Sequence, residues 1–210
     1  MTSLIGRSYI IFAYSISFSG LQTMSKIEIS PEIAPFPKPI ALVGSIVDGR
    51  PNFITVAWFN RLNRSPNIWG VAISKKKYTL EGIRQYGSFS VNLPSADLVE
   101  KTDYCGLYSG RNVDKSVLFN IFYGKLENVP MIRECPFCVE CSVYDLIELP
   151  ASVLVLGEVQ HAYAEERCMT NDNLDPKKID PFVFTKPGDK YWVLGEAIGD
   201  AWSIGKHVGK

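Results

Sequence analysis

Short apolar runs separated by turns dominate the chain after a proline-punctuated lead-in at residues 31–39. Runs rich in Val, Ile and aromatic residues are typical of β-strands. The pattern predicts strands at 40–47, 53–59, 68–73, 88–93, 137–149, 152–163, 182–184 and 191–194. Between the first two strands, Asp48 and Gly49 supply the positive φ of a tight hairpin turn, so these strands are expected to pair.

Helical composition is confined to a few segments. Residues 79–86 carry Glu81 in the first turn and are followed by Gly87, a typical C-cap, so we expect a helix there. A second helix is predicted from a cap at Ser95 to about residue 103. Many strands at hairpin spacing with few helices predict a mainly β protein, a closed antiparallel barrel rather than a doubly wound α/β sheet.

Composition and charge limit the functional classes. The chain has 210 residues, of which 46% are hydrophobic, 12% aromatic and 21% charged, which is typical of one globular domain with a substantial core. Its 22 basic and 22 acidic residues cancel. Because nucleic-acid binding depends on neutralising phosphates, we expect no nucleic-acid partner.

The first 24 residues differ from the rest. An apolar run at 8–20 is interrupted by serines and is shorter than the roughly 20 residues that a membrane-spanning helix needs, so no membrane partner is expected. It resembles the apolar region of a signal peptide. The favoured interpretation is an extension before an alternative start at Met24, with a single domain over 25–210. Five cysteines cannot all pair, which favours a reducing compartment, the cytoplasm.

A possible metal motif lies at Cys135, Cys138 and Cys141, which form a C-x-x-C-x-x-C run. An iron–sulfur motif of the bacterial type would continue with a fourth cysteine where Asp145 stands. In a strand, residues an odd number apart point to opposite faces, so Cys138 and Cys141 can share a metal only if the strand starts late or bulges. The favoured interpretation is that Cys141 is a small buried apolar residue. A cysteine-based metal-binding structural module is the alternative.

A near-match to a nucleotide-binding loop occurs at residues 44–51, "GSIVDGRP". A P-loop reads G-x-x-x-x-G-K-[ST] and opens a helix. Here Pro51 replaces the hydroxyl residue, and the following residues are typical of a strand. The sequence therefore predicts a hairpin at this position and no phosphate-binding loop.

Two later segments are better candidates for an anion site. Residues Ser74, Lys75, Lys76 and Lys77 lie between a strand and a helix start, where cations oppose the helix dipole. A bound anion relieves that conflict, and a solvated turn is the alternative. The loop "SGRNVDK" offers a hydroxyl, backbone amides and the guanidinium of Arg111. Together the two loops predict a phosphorylated cofactor.

From about residue 37 to 206 the chain resembles the flavin reductase-like, FMN-binding split-barrel proteins, especially their flavoredoxin branch. The resemblance rests on the order and spacing of four segments rather than on one motif. They read "PIALVGSIVDGRPNFITVAWFN", "AISKKKYTLEGIRQYGSFSVNLPSADLVEKTDYCGLYSGRNVDKS", "ECPFCVECSVYDLIELPASVLVLGEV" and "YWVLGEAIGDAWSIGK".

The resemblance implies a fold, an assembly and a site. The fold is a six-stranded, antiparallel Greek-key split barrel with helical excursions, and the assembly is a homodimer with FMN at its interface. The strand at 55–60 is expected beside the isoalloxazine ring and the segment 74–79 at the phosphate. The implied cofactor-binding residues are Thr55, Val56, Ala57, Trp58, Asn60, Ser74, Lys75, Lys76, Lys77, Thr79, Asn92, Ser109, Gly110, Arg111 and Lys115.

The implied activity is that of an FMN-dependent oxidoreductase. Electrons come from NAD(P)H or a protein donor and pass through FMN, so that no side chain is required as a catalytic acid or base. The alternative within this family is a flavoredoxin-type electron-transfer protein with little NAD(P)H turnover.

Overall fold

The computed structural model describes residues 26–34 and 36–209. The predicted extension, residues 1–24, lies outside the described part of the chain, so its role stays a prediction. The chain divides into two units, 1–33 and 34–210. Residues 26–33 of the first unit lie in no helix or strand. All structure discussed below belongs to the second unit.

Fourteen strands and three helices follow one another along the second unit. The bounds are β1 Lys38–Pro39, β2 Ala41–Val47, β3 Arg50–Val56, β4 Phe59–Asn63, β5 Ile68–Ser74, α1 Thr79–Tyr86, β6 Ser88–Leu93, α2 Val99–Leu107, β7 Ile121–Phe122, β8 Met131–Ile132, β9 Phe137–Glu148, β10 Ser152–Ala164, β11 Met169–Thr170, β12 Asn173–Leu174, α3 Pro176–Ile179, β13 Phe182–Thr185 and β14 Lys190–Val193. Single 3₁₀ turns lie at Ala96–Leu98, Ser116–Leu118, Glu166–Cys168 and Ile204–His207.

The main sheet is a barrel closed by one bent strand. Its order is β3-β2-β6-β9-β10-β5-β4, and every pair is antiparallel. Only Ala57 and Trp58 separate β3 from β4 along the chain, although the two lie at opposite ends of that order. With β3 and β4 counted as one strand, the barrel has six strands. After β5 the chain crosses over the barrel to β6, which pairs with β2 on the side opposite β3. The predicted six-stranded Greek-key split barrel is confirmed.

The single strand predicted at 53–59 needs a correction at this bend. Pairing with β2 ends at Val56, opposite Ala41. Pairing with β5 begins at Phe59, opposite Val71, and the carbonyl of Trp58 accepts a 2.8 Å hydrogen bond from the amide of Ala72. A strand that closes a barrel must end its pairing with one neighbouring strand before it pairs with the next. The hydrophobic pattern of the sequence does not show at which residue this change occurs.

Two clusters of buried side chains flank the wall of the barrel. Alternate residues of the strands point inward and form the barrel core, which α1 closes at one side. Residues of the opposite parity pack under α2 and the loops that follow it. This second cluster contains Leu42, Phe53, Leu98, Cys105, Phe119, Met131, Ile132, Cys135 and Cys138. Residue 53 and its neighbours in β3 therefore separate two apolar layers.

The helix predictions were half right. Helix α1 has the predicted bounds, and Gly87 ends it with φ of 64°. The second helix is displaced, because a 3₁₀ turn occupies Ala96–Leu98 and α2 begins only at Val99. Ser95 does not cap it with its side chain, since its hydroxyl is hydrogen-bonded to the Asp97 carboxylate. In the described part of the chain, no helix is long and apolar enough to span a membrane.

Gly82 sets how closely α1 packs on β2. A Cβ atom placed on Gly82 would lie 1.9 Å from the carbonyl oxygen of Ile46, a backbone atom that cannot rotate away. We therefore expect Gly82→Ala to lower the free energy of unfolding by about 1–3 kcal/mol, the usual effect of overpacking. Alanine has a higher intrinsic helix propensity than glycine, so helix propensity alone predicts that Gly82→Ala raises the free energy of unfolding.

The control for this prediction is Gln85→Ala, an exposed position of the same helix. Urea denaturation of both variants, followed by circular dichroism, provides the comparison. A Gly82→Ala protein as stable as Gln85→Ala would show that α1 does not pack on β2 at this distance.

Candidate functional site

The two loops predicted to hold an anion meet at Tyr78. The guanidinium of Arg111 lies over the Tyr78 ring, 4.7 Å from its centroid. Both terminal nitrogens of that guanidinium also bond to the Glu81 carboxylate of α1. The Tyr78 hydroxyl donates to Asp48 in the β2–β3 hairpin. One aromatic side chain thus joins the hairpin, the start of α1 and the 109–115 loop.

A polar pocket of about 120 Å³ lies between these three segments. The hairpin contributes Arg50 and Asn52, and the 110–115 loop contributes Arg111 and its backbone. Only glycine fits at position 110, because a Cβ there would lie 2.0 Å from Oδ1 of Asn52. The Asn52 amide in turn donates to the Thr79 hydroxyl at 2.7 Å, which fixes Asn52 against the start of α1.

Charges around this pocket are mixed. The Glu81 carboxylate raises the pKa of Arg111, and hydrogen bonds from Ser116 lower the pKa of Asp114. The hydrogen bond to Asp48 raises the pKa of Tyr78, which keeps the phenol protonated. The site therefore presents fixed guanidinium groups and one neutral phenol at neutral pH, next to carboxylates that an anionic ligand has to displace.

The lysine run is a turn whose three cations have different surroundings. Lys75 forms a 2.9 Å ion pair with Glu148, which also contacts Arg84, and this pairing lowers the pKa of Glu148. The side chains of Lys76 and Lys77 are exposed, and neither forms an ion pair with another described residue. The backbone amide of Lys77 closes the turn by donating to the Ser74 carbonyl at 3.0 Å. Lys76 and Lys77 are thus the members of the run with uncompensated charge.

Lys115 is a buried residue whose side chain bonds to backbone carbonyls. It is 3% exposed, and its ammonium donates to the carbonyls of Phe53 at 3.0 Å and Cys105 at 2.7 Å. Burial lowers its pKa. The side chain therefore ties the end of the 109–115 loop to β3 and to the last turn of α2, and its ammonium is directed at peptide groups rather than at solvent.

Asn92, another residue that the resemblance implied, is fully buried in β6. Its amide nitrogen donates to the Leu42 carbonyl and to the Ser90 hydroxyl, each at 2.9 Å. Its amide oxygen accepts from the backbone of Ile132 at 3.0 Å. These contacts connect β6, β2 and β8, so the structure accounts for Asn92 without a ligand.

The strand expected beside a flavin ring has one unpaired edge. Within residues 36–209, β3 pairs with β2 alone. The Thr55 hydroxyl donates to the Thr102 carbonyl of α2, and Val56 points into the barrel core. Beyond them the chain bends at Ala57, and Trp58 is 63% exposed. The side chain of Asn60 is exposed and accepts from the amide of Arg61.

Several pocket residues were missed from the sequence. Arg50, Asn52 and Tyr78 line the pocket, and Asp48 and Glu81 hold its walls together. The near-match to a P-loop at 44–51 is a hairpin, as predicted, and its second half nevertheless faces the pocket. No sequence signal indicated this, because contact between the hairpin and residues 109–115 depends on the barrel.

The cysteines lie in two different layers. Cys141 is part of the barrel core, whereas Cys135 and Cys138 belong to the cluster under α2, so Cys138 and Cys141 point to opposite faces as predicted. All five cysteines are buried as free thiols. Burial raises the pKa of Cys105 to about 11 and that of Cys138 and Cys141 to about 12, so these thiols stay protonated. Among the described residues, no three metal-ligating side chains form a cluster.

Comparisons with known proteins agree with this geometry. The model of the flavin reductase like domain matches residues 33–178. The crystal structure of flavoredoxin from Methanosarcina acetivorans is 43% identical, with a TM-score of 0.84 over 87% of this chain and 98% of that one. Flavoredoxin of Desulfovibrio vulgaris (Miyazaki F) is 32% identical, with a TM-score of 0.80 over 87% of this chain and 100% of that one.

Two further proteins are similar to most or to about half of this chain. An FMN-binding protein from Thermus thermophilus is 22% identical, with a TM-score of 0.70 over 86% of this chain and 99% of that one. An uncharacterized protein from Archaeoglobus fulgidus is 33% identical over 120 residues, which are 55% of this chain and 68% of the relative.

Replacing Lys115 tests its structural role. We expect Lys115→Met to lower the free energy of unfolding by about 1–3 kcal/mol, because the carbonyls of Phe53 and Cys105 lose their buried donor. Lys77→Met, which removes an exposed cation, is the control and is expected to leave stability unchanged. Denaturant unfolding at neutral pH measures both. Equal stability of the two variants would contradict the structural role of Lys115.

Proposed function

The chain belongs to the flavin reductase-like family, in its flavoredoxin-like branch, and from this membership we propose that it is an FMN-dependent oxidoreductase. In this proposal it binds FMN, accepts electrons from NAD(P)H or a redox protein, and passes them to a second acceptor. FMN, when bound, supplies the redox chemistry. The protein's own residues bind and orient the cofactor.

One observation carries the choice of FMN: a polar pocket joins the 109–115 loop to Tyr78, the residue that directly follows the lysine run. Arg111 and Arg50 line this pocket, and the exposed Lys77 precedes Tyr78 in the chain. A guanidinium forms two parallel hydrogen bonds with a phosphate, which suits a terminal monophosphate group. The close approach at Gly110 brings loop backbone toward the same space, as anion-binding loops require.

Strand β3 supports the expected position of the ring. It leads from Asn52, at the pocket, toward the bend at Ala57 and Trp58. Its edge opposite β2 has no strand partner among the described residues, although Lys115 bonds to its Phe53 carbonyl, so the peptide groups nearer the bend are the ones proposed to face the ring. Peptide groups on a rigid strand orient a planar heterocycle without any catalytic side chain.

A flavoredoxin-type electron carrier is the second candidate. It is favoured by the two flavoredoxins, which are 43% and 32% identical and are covered almost from end to end. Such a carrier exchanges electrons with protein partners and turns over NAD(P)H poorly. The two candidates share the pocket and the cofactor and differ in the electron donor.

We further propose a homodimer that works in the cytoplasm. Five buried free thiols are consistent with a reducing compartment. The exposed Trp58, beside the expected ring site, is consistent with a second subunit that covers this side of the barrel.

Variants of the pocket and of the neighbouring lysine run test the phosphate site. Arg111→Ala and Lys77→Ala are each expected to weaken FMN binding about tenfold, since one charge-assisted hydrogen bond contributes about 1.5–3 kcal/mol. Riboflavin, which lacks the phosphate, should bind wild type and both variants equally. Quenching of flavin fluorescence during titration gives the dissociation constants. Lys190→Ala, an exposed lysine of β14 outside the pocket, serves as the control.

Two results would contradict the phosphate site. One is an unchanged FMN affinity in both variants, and the other is an equal loss of riboflavin and FMN affinity, which would indicate a general disturbance of the pocket.

The electron donor is tested on the FMN-loaded protein under anaerobic conditions. Rapid loss of the flavin absorbance after NADH or NADPH is added is the result expected for the oxidoreductase. Absorbance that persists until a reduced iron–sulfur protein is supplied would instead support the electron carrier. A purified protein that fails to bind FMN, and contains stoichiometric zinc, would contradict both.

A further inference from the structure

Two apolar regions of the surface lie outside the polar pocket. The first is the C-terminal arm, residues 194–209. Residues 194–200 lie in no helix or strand, and a single 3₁₀ turn follows at Ile204–His207. Ile198 is 96% exposed and Trp202 is 95% exposed. Segments that remain in water are poor in such residues, so the composition of the arm is typical of a segment that packs against something.

The second region is the outer apolar face, formed by outward side chains of four adjacent strands. In the sheet register Ile147 of β9 lies opposite Leu154 of β10, which lies opposite Ala72 of β5. Val153 and Val155, on either side of Leu154, are fully buried in the barrel, so Leu154 points outward. The outer apolar face comprises Trp58, Leu62, Ala72, Ile147, Leu154 and Leu156.

Contacts above Gly70 show that this face is continuous across β4, β5 and β10. A Cβ on Gly70 would lie 2.3 Å from Cδ1 of Leu62 and 3.3 Å from Cδ1 of Leu154. The two leucines therefore cover Gly70 from both neighbouring strands. Leu62 and Ile147 remain 55% and 42% exposed, so residues 36–209 assemble this face without covering it.

We propose that the C-terminal arm of one copy lies across the outer apolar face of a second copy, with the reciprocal contact made by the other arm. This inference rests on the homodimer proposed above. Packing the two faces directly against each other would cover the faces and leave both arms in water. Reciprocal arm-on-face contact covers all four surfaces with one two-fold interface.

The arm and the outer apolar face together offer apolar area on the scale of a stable dimer interface. Five large apolar side chains of the arm are more than half exposed, namely Leu194, Ile198, Trp202, Ile204 and Val208. A tryptophan alone buries roughly 150–250 Å², so these five provide a substantial part of the ~800 Å² per partner of a standard interface, to which the outer apolar face adds. Because acidic and basic residues balance, the copies do not repel each other through net charge.

A cross-link tests the contact in the full-length chain. Trp202→Cys in the arm and Ile147→Cys in the face are combined in one chain, where all native cysteines are buried. We expect a disulfide between two copies, seen as a dimer band on a non-reducing gel and lost on reduction. Trp202→Cys with Glu127→Cys, an exposed loop position outside the face, is the control and should give no such band.

A charge in the arm provides the second measurement. Ile198→Asp is expected to weaken the dimer at least tenfold by light scattering across a concentration series, whereas Ser203→Asp, which adds the same charge without removing an apolar group, should have little effect. FMN affinity, measured separately, reports on the flavin proposal. A wild-type protein that stays monomeric would overturn the homodimer and the inference together. A wild-type dimer with no arm-to-face cross-link, or with a disulfide inside one chain, would overturn the inference alone.

Discussion

The transfer of one strand from β2 to β5 at Ala57 and Trp58 is the constraint on which the rest of the structure depends. A twisted sheet of this size has two edges unless it closes, and unsatisfied edges are costly. Here one continuous segment pairs with β2 before the bend and with β5 after it. The transfer closes the barrel and leaves the other side of β3 without a strand partner in the described chain. The polar pocket lies at the start of that strand and the outer apolar face begins at its end.

The pocket depends on short contacts between segments that are distant in sequence. Tyr78 lies between Asp48 and Arg111, and Arg111 returns to Glu81 in the helix that Tyr78 precedes. These exposed ion pairs contribute little to stability in water. These ion pairs matter for geometry, because they hold the Arg111 guanidinium near the hairpin and can still be exchanged for another partner. In the proposed flavin site a phosphate would compete with Glu81 for Arg111, and such competition depends on ionic strength.

The sequence predicted the regular elements and the two loops, and it did not predict how they meet. Helix α1 could be located from Glu81 and Gly87, because capping and dipole effects act within one turn. Lys115 and Asn92 stay predicted cofactor residues, and in the structure both also bond to buried peptide groups. A polar side chain that completes a core has the same sequence signature as one that binds a ligand. Asn52 and Tyr78 carry no such signature, and only the contacts between distant segments show that they line the pocket.

Lys115 couples the 109–115 loop to two other elements. Its hydrogen-bond acceptors, the Phe53 and Cys105 carbonyls, belong to β3 and to α2, and they are dipoles rather than full charges. The buried ammonium therefore needs both carbonyls in place to offset its loss of water. A shift of α2 relative to β3 would remove one of the two acceptors, so the relative position of these two elements and the order of the loop are coupled.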